Sequence, residues 1–172
     1  VGSEDWLTRD MLAIREDALQ RMNQTPPVIT VTSAVEDPED PEIALRLEGT
    51  LRVPLYLESE DTGAAIHRGD DGLPAVNGEV EVPFLVQVPR SAMPADATFE
   101  PARILQYGHG FFGLREETNY GFMRGFSNEQ RYVTASVDWW GMSEPDAIAA
   151  AADILSDVGS MFRFVDRLHQ AM

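Results

Sequence analysis

The sequence predicts an α/β fold: an N-terminal helix, then antiparallel β-hairpins, then the first part of a mixed, mainly parallel sheet. Three observations predict it. Apolar residues recur at spacings of three and four near the N-terminus, which is the period of one helix face. Alternating, β-branched runs separated by Gly, Pro and acidic turns follow, which is the signature of hairpins. After Pro101 the order becomes strand, helix, strand in short segments, the order of a parallel crossover unit.

The elements follow in turn. Leu7, Met11, Ile14, Ala18 and Met22 form one stripe, so residues 5–22 read as a helix that packs on something. Pro26 and Pro27 stop it. Residues 28–35 alternate as a strand. An acidic loop from Glu36 to Glu42 precedes a second strand over 44–57, with Leu45, Leu47, Leu51, Val53, Leu55 and Leu57 on odd positions and Gly49 as a candidate bulge. Gly63, Gly69, Gly72 and Gly78 then punctuate a polar stretch. Residues 79–89 form a third strand with Val80, Val82, Phe84, Val86 and Val88 on one face. Residues 103–107 read as a short strand and 118–129 as a helix with Tyr120, Met123 and Phe126 inward. Residues 132–137 read as another strand. Ser143, Pro145 and Asp146 start a further helix. Gly159-Ser160 breaks it, and a last helix begins near Met161 with Phe162, Val165 and Leu168 as its stripe. The whole reads as one domain of three parts, 1–27, 28–100 and 101–172.

Composition narrows the function. With 29 acidic against 13 basic residues the formal net charge is −16, so phosphate backbones are repelled and nucleic acid is a poor partner. No apolar run reaches bilayer length, so no transmembrane segment is expected. There is no cysteine, which removes disulfides, thiolate metal sites and Cys nucleophiles and leaves the compartment open. Val1 is not an initiator Met, and no basic-then-apolar leader follows it; either a leader has been removed or the chain has been trimmed.

Chemistry concentrates in two loops. Gly108-His109-Gly110-Phe111-Phe112-Gly113 directly follows a strand. Acyl transfer builds negative charge on a carbonyl oxygen, and fixed backbone N–H groups aimed at it stabilise that charge. Glycines let the backbone turn sharply and come close to substrate, and a His-Gly pair at a strand end is one way such a donor is placed. The competing reading is a turn that only lets the chain leave the sheet. His109 orders the loop through its ring nitrogens rather than acting as base; His67 and His169 have no catalytic assignment. The second loop is Asp138-Trp139-Trp140-Gly141-Met142-Ser143. Trp139 and Trp140, with Phe112, either wall an apolar acyl or aryl pocket or pack on neighbouring helices. Asp138 supports the loop by accepting backbone hydrogen bonds, and Ser143 caps a helix.

No Gly-x-Ser-x-Gly elbow occurs. The nearest run is Gly125-Phe126-Ser127-Asn128-Glu129, inside a predicted helix. Asp70-Asp71-Gly72 with Glu60 and Asp61 lacks the spacing of an EF-hand loop and reads as solvated turn. No metal and no cofactor is implied.

The run from Tyr107 to Asp146 resembles the α/β-hydrolase fold around its third and fourth parallel strands. Gly108-His109-Gly110 is similar to the oxyanion loop after the third strand, and Asp138-x-x-Gly141-x-Ser143 to the Asp-x-x-Gly-x-Gly-x-Ser loop after the fourth, one Gly step short. More narrowly, several stretches resemble a group of large bacterial hydrolases, mainly of myxobacteria and actinobacteria. These are Gly49-Thr50 through Val53-Pro54-Leu55-Tyr56-Leu57, Gly72-Leu73-Pro74-Ala75-Val76-Asn77-Gly78, Val82-Pro83-Phe84, Tyr107 to Gly110, Asp138 to Glu144 and Asp166-Arg167-Leu168-His169-Gln170.

The resemblance implies a secreted or periplasmic, esterase- or lipase-like serine hydrolase, cell-surface anchored if a leader has been removed. It implies acyl transfer on a small ester-like substrate, with the oxyanion donor at the backbone N–H of Phe111. It also implies that the nucleophile, acid and His of the triad lie beyond Met172, so this chain alone is expected to be inactive. In the family fold the third strand lies between the fourth and fifth. The strand around Ile104 and Leu105 is therefore expected to present an unpaired apolar edge, completed by a C-terminal remainder of the same polypeptide or by a second copy. The alternative, from another class, is a non-catalytic ligand- or protein-binding module.

Overall fold

The computed structural model describes residues 5–36, 39–93, 101–156 and 162–171. Its elements are α1 (Asp5–Gln24), β1 (Val28–Glu36), β2 (Ile43–Pro54), β3 (Glu79–Pro89), β4 (Arg103–Tyr107), α2 (Gly121–Gln130), β5 (Tyr132–Val137), α3 (Asp146–Ser156) and α4 (Phe162–Ala171). Two compact units divide the chain. One comprises Ile29–Leu51 and Val82–Asp138; the other comprises Val1–Val28, Arg52–Glu81 and Trp139–Met172.

The first unit holds a five-stranded mixed sheet of order β1-β2-β3-β5-β4. The sheet is mostly antiparallel, with β4 and β5 as its one parallel pair, which corrects the expectation of a mainly parallel sheet. The helical crossover from β4 to β5 returns the chain in the same direction and makes that pair parallel, whereas β5 lies antiparallel to β3 on its other side. β4 lies at the end of the sheet. Ile104 on that strand is 73% exposed.

The register sets the two faces. Leu85 stands opposite Ser136 and Gln87 opposite Thr134, and all four are buried. On the other face Phe84 stands opposite Val137 and Val86 opposite Ala135. With Ile29, Val31, Leu47, Leu51, Ile104 and Gln106 these line an open groove of about 430 Å³. The even-numbered apolar face of residues 79–89 is thus real, but in the middle of the strand the odd-numbered face is the better buried. Alternation reveals two faces and not which of them receives a neighbour.

The predicted helix over 118–129 is two pieces, a 3-10 turn at Arg115–Asn119 and α2 itself, with Tyr120 extended between them. Met123 and Ser127 are the buried positions of α2, while Tyr120 and Phe126 are exposed, contrary to the inward assignment of those two aromatics. The break takes Tyr120 out of α2, and within α2 the buried positions Met123 and Ser127 are four apart, which leaves Phe126 off the covered face. Asp40 fastens α2 to the β1–β2 connection: it accepts from the Glu42 and Ile43 amides at 2.8 and 3.0 Å and from Arg124 Nη1 at 2.7 Å.

In the second unit α1 runs on to Gln24, and of its stripe Ile14 is buried while Met22 is exposed. The strand expected through Leu57 ends at Pro54. Leu55, Tyr56 and Leu57 beyond it are all buried, and burying each such side chain contributes about 1.5–3 kcal/mol. Tyr56 donates its hydroxyl to Asp17 Oδ2 at 2.7 Å and its amide to Gln170 Oε1 at 2.6 Å. Ile66 donates its amide to Asp166 Oδ2 at 3.3 Å. α3 begins at Asp146, and its Ile148 and Leu155 are more than four-fifths exposed. The break at Gly159-Ser160 and the start at Met161 lie outside the described residues.

Candidate functional site

β4 ends at Tyr107, which stands opposite Ser136 of its parallel neighbour. The loops beginning at Gly108 and Asp138 therefore leave the same end of the parallel pair, the end at which open α/β sheets gather ligand-facing groups. The Gly113 amide donates to the Gly110 carbonyl at 2.9 Å, which closes a β-turn with Phe111 and Phe112 at its corners. Phe112 has φ 58° and Phe111 is not among the positive-φ residues, the pattern of a type II turn. A left-handed conformation costs a residue with Cβ roughly 1–2 kcal/mol, so the turn holds strain at Phe112. The two rings lie 4.2 Å apart, and Phe111 is 67% exposed.

Beneath the turn sits a residue the sequence reading missed, Glu117. Its Oε2 accepts from the Gly110 amide at 3.0 Å and from the Tyr107 hydroxyl at 3.1 Å. Burial, then this hydrogen bond, pushes the Tyr107 phenol above its ordinary value. Gly113 lies against the same carboxylate: a Cβ there would stand 2.0 Å from Glu117 Oε1, so the carboxylate would have to shift. His109 is buried, with Nδ1 2.7 Å from the Gly110 carbonyl oxygen. A carbonyl only accepts, so Nδ1 carries the proton. Gly110 thus has both main-chain groups engaged, whereas the Phe111 and Phe112 amides have no acceptor among the described residues.

Asp138, the residue after β5, supports this arrangement. It accepts from the Arg115 amide at 2.7 Å and pairs with the Arg115 guanidinium. The Arg115 carbonyl in turn accepts from Thr118 Oγ1 and Ser136 Oγ, each at 3.0 Å. The 3-10 turn that carries Glu117 is therefore fixed at its start.

The Trp139-Trp140 loop belongs to the other unit. Its organiser is Asp146, whose carboxylate accepts from the Gly141 amide at 2.7 Å, the Ser143 amide at 3.3 Å, Ser143 Oγ at 2.6 Å and Arg167 Nε at 2.7 Å. Gly141 has φ 87°, which a side chain would oppose. Ser143 is buried, and its hydroxyl donates to the carboxylate three residues on rather than accepting from a helix amide. The ring of Trp140 lies under the Arg167 guanidinium, 4.6 Å from centroid to Cζ.

Ser127 is fully buried and donates to the Tyr132 carbonyl at 2.6 Å, which occupies its hydroxyl. Among the described residues no group of His, Asp and Glu is placed to hold a metal ion, and no helix is long and apolar enough to cross a membrane. Of the residues missed in the sequence, Glu117 carries only a weak signal, an acid four residues after the last loop glycine and indistinguishable from Glu116. Arg167 stands in the stretch 166–170 that carries the resemblance, but its pairing has no local signal, since its partner is 21 residues away. No protein-family model, no curated protein and no solved structure matches the chain.

Proposed function

We propose that this chain supplies the oxyanion-hole loop of a secreted or periplasmic serine hydrolase of the α/β-hydrolase type, acting on small acyl esters. The observation that carries the reading is the Gly110–Gly113 turn at the end of a strand in a parallel pair, with the Phe111 amide uncommitted beside an engaged Gly110. In acyl transfer a serine oxygen attacks the ester carbonyl, the tetrahedral intermediate expels the alcohol to give an acyl-enzyme, and water then attacks that ester to release the acid and restore the serine. The Phe111 N–H stabilises the oxygen that becomes negative in each tetrahedral intermediate, a contribution of about 3 kcal/mol for one donor. The nucleophile, its base and the acid come from a segment that pairs with the free edge of β4, supplied by a remainder of the same polypeptide or by a second copy. The position of β4 at the sheet end supports that pairing.

The test is fluorophosphonate labelling and p-nitrophenyl ester hydrolysis by the product of the complete reading frame. The label is expected on a serine in a Gly-x-Ser-x-Gly run outside these 172 residues. Phe111→Pro is expected to lower kcat by roughly 10²–10³. Proline suits the second position of a type II turn, so the substitution removes the N–H and keeps the loop. An unlabelled protein overturns the reading. One observation favours a second reading, a non-catalytic binding module: the apolar groove across the sheet. An unlabelled, inactive product would leave that one standing.

A further inference from the structure

We infer that Glu117 is the positioning residue of the glycine loop: its carboxylate draws the Gly110 N–H inward, which leaves the Phe111 N–H as the outward donor. The inference rests on reading the loop as an oxyanion donor. Three residues of the stretch from Tyr107 to Gly113 are arranged around this one side chain. Tyr107 and Gly110 donate to the same oxygen at 3.1 and 3.0 Å. Gly113 lies against the other oxygen, which a methyl group there, at 2.0 Å, would displace from its present place. Bonds accepted by a carboxylate are roughly twice as strong as neutral ones, so they hold a short glycine-rich segment that has little rigidity of its own.

The neighbouring acid provides the contrast. Glu116 is exposed and pairs with Arg115 at 2.9 Å, as surface acids ordinarily do. Among the described residues Glu117 has no cation for a partner; its partners are an amide and a phenol of the loop. The base it stands on is fixed, because Asp138 holds Arg115 and the adjacent Thr118 is buried. A solvated acid needs none of this.

The carboxylate charge also opposes an oxyanion forming nearby, so position and charge make opposite predictions. Glu117→Gln keeps the shape and one acceptor but removes the charge, while Glu117→Ala removes both. If positioning dominates, kcat for p-nitrophenyl esters falls roughly 10²-fold in Glu117→Ala and about tenfold in Glu117→Gln, with KM within about twofold. A Glu117→Gln enzyme faster than wild type overturns the inference, as does an unchanged kcat in Glu117→Ala.

A second measurement needs no activity. Amide hydrogen exchange in the 172-residue chain is expected to accelerate about tenfold or more at Gly110 in Glu117→Ala, with exchange in β4 and β5 unchanged. Unchanged exchange at Gly110 overturns the inference. A wild-type protein that hydrolyses no ester defeats the hydrolase reading and any catalytic consequence of Glu117, and the exchange result alone then decides whether Glu117 holds the loop.

Discussion

Arg167 donates its Nε–H to Asp146 at 2.7 Å with both side chains almost completely buried, 5% and 3% exposed. The same guanidinium donates from Nη1 to the carbonyls of Glu60 and Asp61. One side chain thus ties α4 to the start of α3 and to the turn-rich segment after Leu57. Removing one partner of a buried pair leaves the other charged and unpaired, at a cost of roughly 3–5 kcal/mol. Arg167→Ala is expected to lose about that much in urea unfolding. A loss below about 1 kcal/mol would show the pair to be ordinary surface chemistry.

Acid and neutral pH are expected to pull on two aspartates in opposite senses. Burial raises the pKa of Asp166 despite the Ile66 amide it accepts. A raised folded value means that the stability it contributes is present below the unfolded pKa and lost as pH rises through the folded one. Asp166→Asn is therefore expected to raise Tm at pH 7, and the gain should fade toward pH 3. Asp40 behaves in reverse. Burial pushes its carboxyl up, but the Glu42 and Ile43 amides and Arg124 together hold it below the ordinary value. Its stability is present above the unfolded pKa and lost as pH falls through the folded one, so Asp40→Asn is expected to lower Tm at pH 7, with the difference closing in acid. Thermal melts across pH 3–8 read both. Parallel curves for either variant and wild type would contradict the assignment.

Strain at Phe112 has its own signature. Asn tolerates the left-handed region, while a β-branched side chain resists it. Phe112→Val is expected to be less stable than Phe112→Asn by about 1–2 kcal/mol. Equal midpoints in denaturant would mean that the turn relaxes freely.

The free edge of the sheet gives a prediction about association. Ile104 is exposed on β4, so Ile104→Lys is expected to change the stability of the chain by less than about 0.5 kcal/mol. A charge on an edge strand disfavours further pairing, so the same change is expected to weaken whatever completes the sheet. Native mass spectrometry of the complete gene product or of a self-associated form reads this. Undiminished association in the variant would place the contact elsewhere.

Local pattern alone carried the elements of this protein. The three-four spacing around Ile14, the alternation of residues 79–89 and the glycines at 108, 110 and 113 each report on a few neighbouring residues, which is the range over which propensity and periodicity act. The parallel pairing of the two short strands was readable because parallel neighbours need a long crossover and the helix between them supplies one. Tertiary structure decided which face of β3 is covered, that Leu55 to Leu57 leave the sheet, and that Tyr120 breaks a helix. It also decided that Glu117 lies under the glycine turn and that Arg167 meets Asp146. Each of these depends on a partner brought near by the whole chain, and side-chain charge or hydroxyl chemistry looks the same in sequence whether that partner is a loop amide, a buried carboxylate or water.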